Sequence, residues 1–274
     1  MTLFSIIFGQ SETTSTPQLI TPSNVTGSEE LQVNMWKAPE FSNPDDIVTF
    51  VIGPRESAEE FVVHKEHVCY YSPVMKTAFN SLFKEGQTKC YCLEDTEPDV
   101  FRLFVQWLYA QDYKVISGAD TLEGVADSEP ATEKERRLNE QDANMVGLWI
   151  LGDKLMIPAL QNAAMKTLKK LLPFRNSTAW IPAVYEGTIP GCQLRAFAVD
   201  YARAQLPAGW VAEHPEHFPQ EALVELYTSM EASYNIWTTG VDTKTRFMTR
   251  CKGENVDYLV NELIKPRRND TSLS

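Results

Sequence analysis

The sequence predicts an α+β protein: a small β-sheet flanked by a cluster of α-helices, followed by an α-helical C-terminal extension. Three observations carry this expectation. Residues 47–53, IVTFVIG, alternate apolar and polar positions, and after a Gly53-Pro54 turn EEFVVH (59–64) returns as a second strand. From Thr96 the chain reads as a helix that is apolar on nearly all sides. Beyond residue 145, one segment after another places apolar residues at helical spacing.

Each element has its local reason. Residues 1–40, rich in Ser, Thr, Pro and Asn, show no sustained period and are expected to be disordered. Val48, Phe50 and Ile52 share one face of the first strand. Residues 65–70 form a short helix, and Ser72 caps a second, with Pro73 at its first position, running to about Leu82. KCYCLED (89–95) is a third strand, with Cys90 and Cys92 on one face and Tyr91 and Leu93 on the other. Thr96-Glu-Pro-Asp99 starts a helix in which Val100, Phe101, Phe104, Trp107 and Leu108 cannot all face one neighbour, so it is central and buried. Residues 117–137 are acidic and nearly devoid of large apolar side chains, as expected of an insertion without a fold of its own. Helices resume with MVGLWILGDKL (145–155), with Pro158 onward and its stripe Leu160, Ala164, Leu168, Leu171, and with candidates at 177–186, 194–205 and 219–231. The expected organisation is a disordered segment 1–40, a folded domain 41–172 carrying the insertion, a helical extension 173–240 and a weakly structured tail 241–274.

Composition bounds the function. The formal net charge of −12 repels phosphate backbones, which argues against nucleic acid as a partner. Five cysteines leave one unpaired under any full pairing, which suits reduced thiols in a cytoplasmic or nuclear setting. No stretch approaches the roughly 18 apolar residues a membrane span needs, and the N-terminal apolar run is too short for a signal peptide. The cluster Lys265-Pro-Arg-Arg268 reads as a solvated tail.

Laid out in order, D46-I-V-T-F-V-I, F61-V-V-H64-K65, S72-P73-V-M-K-T-A-F79, F83-K-E85 and P98-D-V-F101-R-L-F-V-Q-W107-L-Y109 resemble a BTB/POZ domain, and L148-W-I-L-G-D-K-L-M-I-P-A-L-Q161 is similar to the closing helices of fungal BTB-domain proteins. Together these cover roughly residues 45–172. The resemblance implies an interaction module that pairs with other BTB domains and, in many members, docks onto a cullin as substrate adaptor of a ubiquitin ligase. It places Phe83-Lys84-Glu85 at the hydrophobic-x-Glu element that contacts cullin, the alternative being a merely structural Phe83. It places Asp46 and Lys65 at a charged pair lining a pocket near the dimer interface, the alternative being a plain strand-end aspartate and a solvated lysine. SEELQVNMWKAPEFSNPD lacks the clear amphipathic helix that precedes the first strand in dimeric members, which argues against strand-swapped dimerisation.

His64, His67 and Cys69 crowd into six positions, yet zinc needs four converging ligands, and a strand end and a helix turn do not aim these three together. The resemblance makes His64 a buried, hydrogen-bonded core histidine. Cys90 and Cys92 read as small buried hydrophobes, and His214-Pro-Glu-His217 as a pair without further ligands. No nucleophile elbow, phosphate loop, dinucleotide fingerprint or HExxH occurs. The expectation is therefore a protein without catalytic residues, metal, cofactor or small-molecule substrate. An adaptor, a scaffold without a ligase role, and an enzyme with a hidden site remain the three readings, in that order.

Overall fold

The structure, a computed structural model, describes residues 39–115, 131–175, 177–234 and, beyond them, 245, 247, 248, 251 and 258–260. The expected disordered segment therefore lies outside the described residues except for Pro39 and Glu40, as does the insertion up to residue 130.

β1 (Ile47–Ile52) is the central strand of a three-stranded sheet, antiparallel to β2 (Glu59–His64) and parallel to β3 (Cys90–Leu93). Its alternation buries Val48, Phe50 and Ile52 on one face. Gly53, at φ +95°, ends the strand where a side chain would be strained. α1 (Lys65–Tyr71) follows β2 directly. Ser72 then caps α2 (Pro73–Phe79), accepting the Met75 amide at 3.1 Å while donating to Leu155 O at 2.7 Å, and so ties this corner to a helix 83 residues away.

α3 (Lys84–Thr88) precedes β3, and α4 (Pro98–Ala110) buries the five side chains expected of a central helix. The sheet's inner face meets it through Phe50 and Phe61, each 5.0 Å from the Phe101 ring. α5 (Ala131–Lys154) is longer than its sequence suggests: residues 131–137, assigned to the insertion, are its first turns, where Arg136 pairs with Glu133 and Glu140 one turn to either side. Gly147 lets α5 press on α4, since a Cβ there would lie 2.7 Å from Val100 Cγ2.

α6 (Pro158–Leu171) packs back along α5, and α7 (Ile181–Gly187), α8 (Gln193–Gln205), α9 (Trp210–Glu213) and α10 (Gln220–Tyr234) complete the described helices. One apolar cluster runs from Val48 through Trp107, Trp149 and Trp180 to Phe247 and Tyr258. The last two belong to the tail expected to be weakly structured. Both pack on Phe197, at 5.7 and 5.4 Å, and the Val260 backbone exchanges two hydrogen bonds with the Asn162 amide. Among the described residues, no helix is long and apolar enough to cross a membrane.

Candidate interaction surface

Between α2 and β3 the chain makes an elbow that holds two large apolar side chains in solvent. α2 stops at Phe79, short of Leu82, because the next two side chains take helical carbonyls for themselves: Asn80 Nδ2 donates to Lys76 O at 2.7 Å and Ser81 Oγ to Ala78 O at 2.8 Å. Ser81 Oγ in turn accepts the Phe83 amide at 3.2 Å, and Gln87 closes the turn with Nε2 on Leu82 O at 2.8 Å. Gly86 makes this path passable. A Cβ there would stand 2.0 Å from Ser81 O, so the backbone comes closer than any side chain permits. Leu82 is left 91% exposed and Phe83, at the N-cap of α3, 76% exposed. Lys84 is exposed as well, whereas Glu85, expected to be exposed, is half-buried. Tyr91 lies beneath it, its phenol raised mainly by burial and further by the Glu85 charge.

Asp46 and Lys65 meet through the backbone, the Lys65 amide donating to Asp46 O at 2.9 Å. The side-chain partner of Asp46 is a different lysine, Lys89, at 2.7 Å, and this bond holds the carboxyl below its usual range with lesser help from Lys65. Both ends of the pair are solvated, so it positions the chain more than it stabilises it.

The buried, hydrogen-bonded role expected of His64 is divided: His64 keeps the hydrogen bonds, and His67 takes the burial. His64 is half-buried, with Nδ1 2.8 Å from the Tyr109 hydroxyl, which also accepts its amide at 2.9 Å. His67 is the buried one, wedged between Phe41 at 4.1 Å and Tyr109 at 5.0 Å, and its pKa falls through burial first and the neighbouring His64 second. Cys69 turns away to Met75 O, and burial pushes its thiol up to about 11, leaving negligible thiolate at neutral pH. These three groups neither converge nor activate one another.

Cys90 and Cys92 do share a strand face, but it is the outer one: Cys92 is exposed and Cys90 half-buried, while Leu93 faces the core. The same outer face exposes Ile47 and Val62, whose cross-strand partners are His64 and Thr49 respectively.

The BTB/POZ domain family model matches residues 41–126. The strands, the elbow and α4 therefore lie in a segment that matches a BTB/POZ domain, a protein–protein interaction module. The helices from α5 onward fall outside the match.

Sequence reasoning missed three features. Leu82 joins Phe83 in solvent, and the only hint was the Asn80-Ser81 pair that ends α2. Lys89 takes Asp46 because the parallel pairing of Thr49 with Cys90 carries the preceding residue to the start of β1. Arg195, buried on α8, bonds the carbonyls of Tyr185 and Thr188 and the carboxylate of Glu221, which no local pattern signals.

Proposed function

We propose that this protein is a substrate adaptor for a cullin-type ubiquitin ligase, docking through the elbow with Phe83 as anchor, Leu82 beside it and Glu85 at the margin. The observation that carries this reading is the exposure of Phe83 on a turn braced by four hydrogen bonds of the Asn80, Ser81 and Gln87 side chains and by the Gly86 contact. A core residue would be covered, whereas a rigid exposed aromatic suits an interface hot spot. An adaptor also needs a second face for its substrate. α10 carries Leu223, Val224, Tyr227 and Met230, all exposed and spaced along one side of the helix.

A second reading, a BTB scaffold that self-associates without a ligase role, draws support from the exposed outer sheet face with Ile47 and Val62, extended by Phe41. The pair Asp46 and Lys65, at the edge of that face, is its proposed dimer pocket.

The test is co-purification of cullin with the tagged full-length chain. Wild type retains cullin, and Phe83→Ala with Glu85→Lys loses it. Absence of cullin from the wild type removes the adaptor reading, and sedimentation then decides whether the chain self-associates. Retention by the double variant leaves the adaptor role standing on other contact residues.

A further inference from the structure

The turn that joins α9 to α10 gathers three metal-ligand side chains. Among the described residues, His214, Glu216 and His217 are the one group of three His, Cys, Asp or Glu whose ligand atoms all lie within 4.8 Å of one another. Pro215 starts a 3-10 turn, Pro215–His217, that brings the two imidazoles parallel, with planes 5° apart and centroids 5.3 Å apart. Glu216 Oε1 lies between them, 3.7 Å from His214 Nδ1 and 3.7 Å from His217 Nε2. Ligands bound at about 2.0–2.1 Å in a tetrahedron stand about 3.3–3.4 Å apart, so the two Glu216 edges need to close by a few tenths of an ångström, while the imidazole–imidazole edge lies within 4.8 Å.

Both rings are held from behind. His214 packs on the Trp210 indole at 4.5 Å. His217 Nδ1 lies 2.8 Å from the hydroxyl of Thr178, a side chain with 1% exposure that also accepts Trp210 Nε1–H at 3.0 Å. With the indole already donating to it, the hydroxyl oxygen can accept Nδ1–H of His217 as a second bond. In that tautomer, which a bound cation selects, Nε2 turns its lone pair toward the Glu216 carboxylate and two acceptors face each other across the site. Metal-bound histidines are oriented in this way, by a polar partner on the nitrogen that does not bind.

We propose that His214 Nδ1, Glu216 Oε1 and His217 Nε2 form a surface site for a divalent cation of the zinc class, with water in the fourth position. Two imidazoles and a carboxylate are donors for zinc, whereas magnesium and calcium prefer oxygen throughout. The bound ion crosslinks the 214–217 turn, which Thr178 and Trp210 already fasten to the start of α7. It thereby stiffens the approach to α10.

The experiment uses the full chain, reduced and freed of metal by chelator, titrated with Zn2+ by calorimetry and with Co2+ by absorption. The five cysteines supply a background that variants must separate from the site. Wild type takes up one ion that Glu216→Gln weakens on the order of tenfold or more, because two imidazoles alone hold zinc poorly, and that His214→Gln with His217→Gln abolishes. Glu216 is largely exposed and no hydrogen bond of the fold rests on it, so its variant keeps the wild-type melting curve without metal. The cobalt form lacks the intense near-ultraviolet thiolate band that a cysteine site would show. Unchanged affinity in both variants, a thiolate band that titrates with the single ion, or no uptake at micromolar zinc overturns the proposal.

Discussion

Asp142 has no exposed surface; one of its oxygens bonds Arg175, and the other, Oδ2, has no hydrogen-bond partner among the described residues. Burial pushes its carboxyl up to about 6, further than the guanidinium brings it down. The folded state thus holds this proton more tightly than the unfolded chain does. The stability it contributes is full below about pH 4 and is lost as the pH rises through about 6. Relative to Asp142→Asn, wild type should lose on the order of 3 kcal/mol between pH 4 and pH 7 in denaturant unfolding. A difference that is flat across this window would contradict the assignment. Trp107, 2% exposed and 5.2 Å from the Tyr71 ring, is the simpler case. Trp107→Ala should cost about 3–5 kcal/mol, read as a fall in melting temperature, because the packed side chains around it cannot fully collapse into the void. Trp107 was legible in the sequence, since a helix apolar all round has nowhere to go but the centre. Asp142 was not. In the run RRLNEQDANM it looks like any polar residue, and only Arg175, 33 positions later, reveals it as buried.

Among the elements, the strands and the longer helices follow from period and capping, and Ser72-Pro73 and Pro158 start helices where expected. The elbow escaped that logic because its cause is competition rather than period: Asn80 and Ser81 break off a helix that Leu82 would otherwise continue. Gly86 in the sequence says only that a side chain is missing, and its meaning depends on where the Ser81 carbonyl ends up. Gly86→Ala must push that carbonyl away and should cost roughly 1–3 kcal/mol, as overpacking against backbone does. Phe83→Ala, in contrast, should leave the stability within about 0.5 kcal/mol of wild type. Comparing the two melting curves checks the elbow as a built turn. If Gly86→Ala melts like wild type, Phe83 is not held as described.

At the scale of the molecule, the BTB/POZ domain and the helices that follow it share one apolar cluster, so the helical extension is part of the folded body and not an appendage on a linker. In the tail, Phe247 and Tyr258 gave no sign of burial in the sequence because they are single aromatics without periodic neighbours. They are legible as core only once Phe197 and Tyr201 are in place. The full chain carries a formal net charge of −12, which speeds encounter with a basic partner, while a few desolvated apolar anchors set how long the complex lasts. The proposed cullin contact at the elbow is tested most directly by a binding isotherm between the purified full-length chain and a purified cullin N-terminal region. Wild type should bind, and Leu82→Ser with Phe83→Ala should weaken binding by 2 kcal/mol or more, on the order of thirtyfold, with an unchanged melting curve. Equal affinity for wild type and variant, or no binding by wild type, would contradict it.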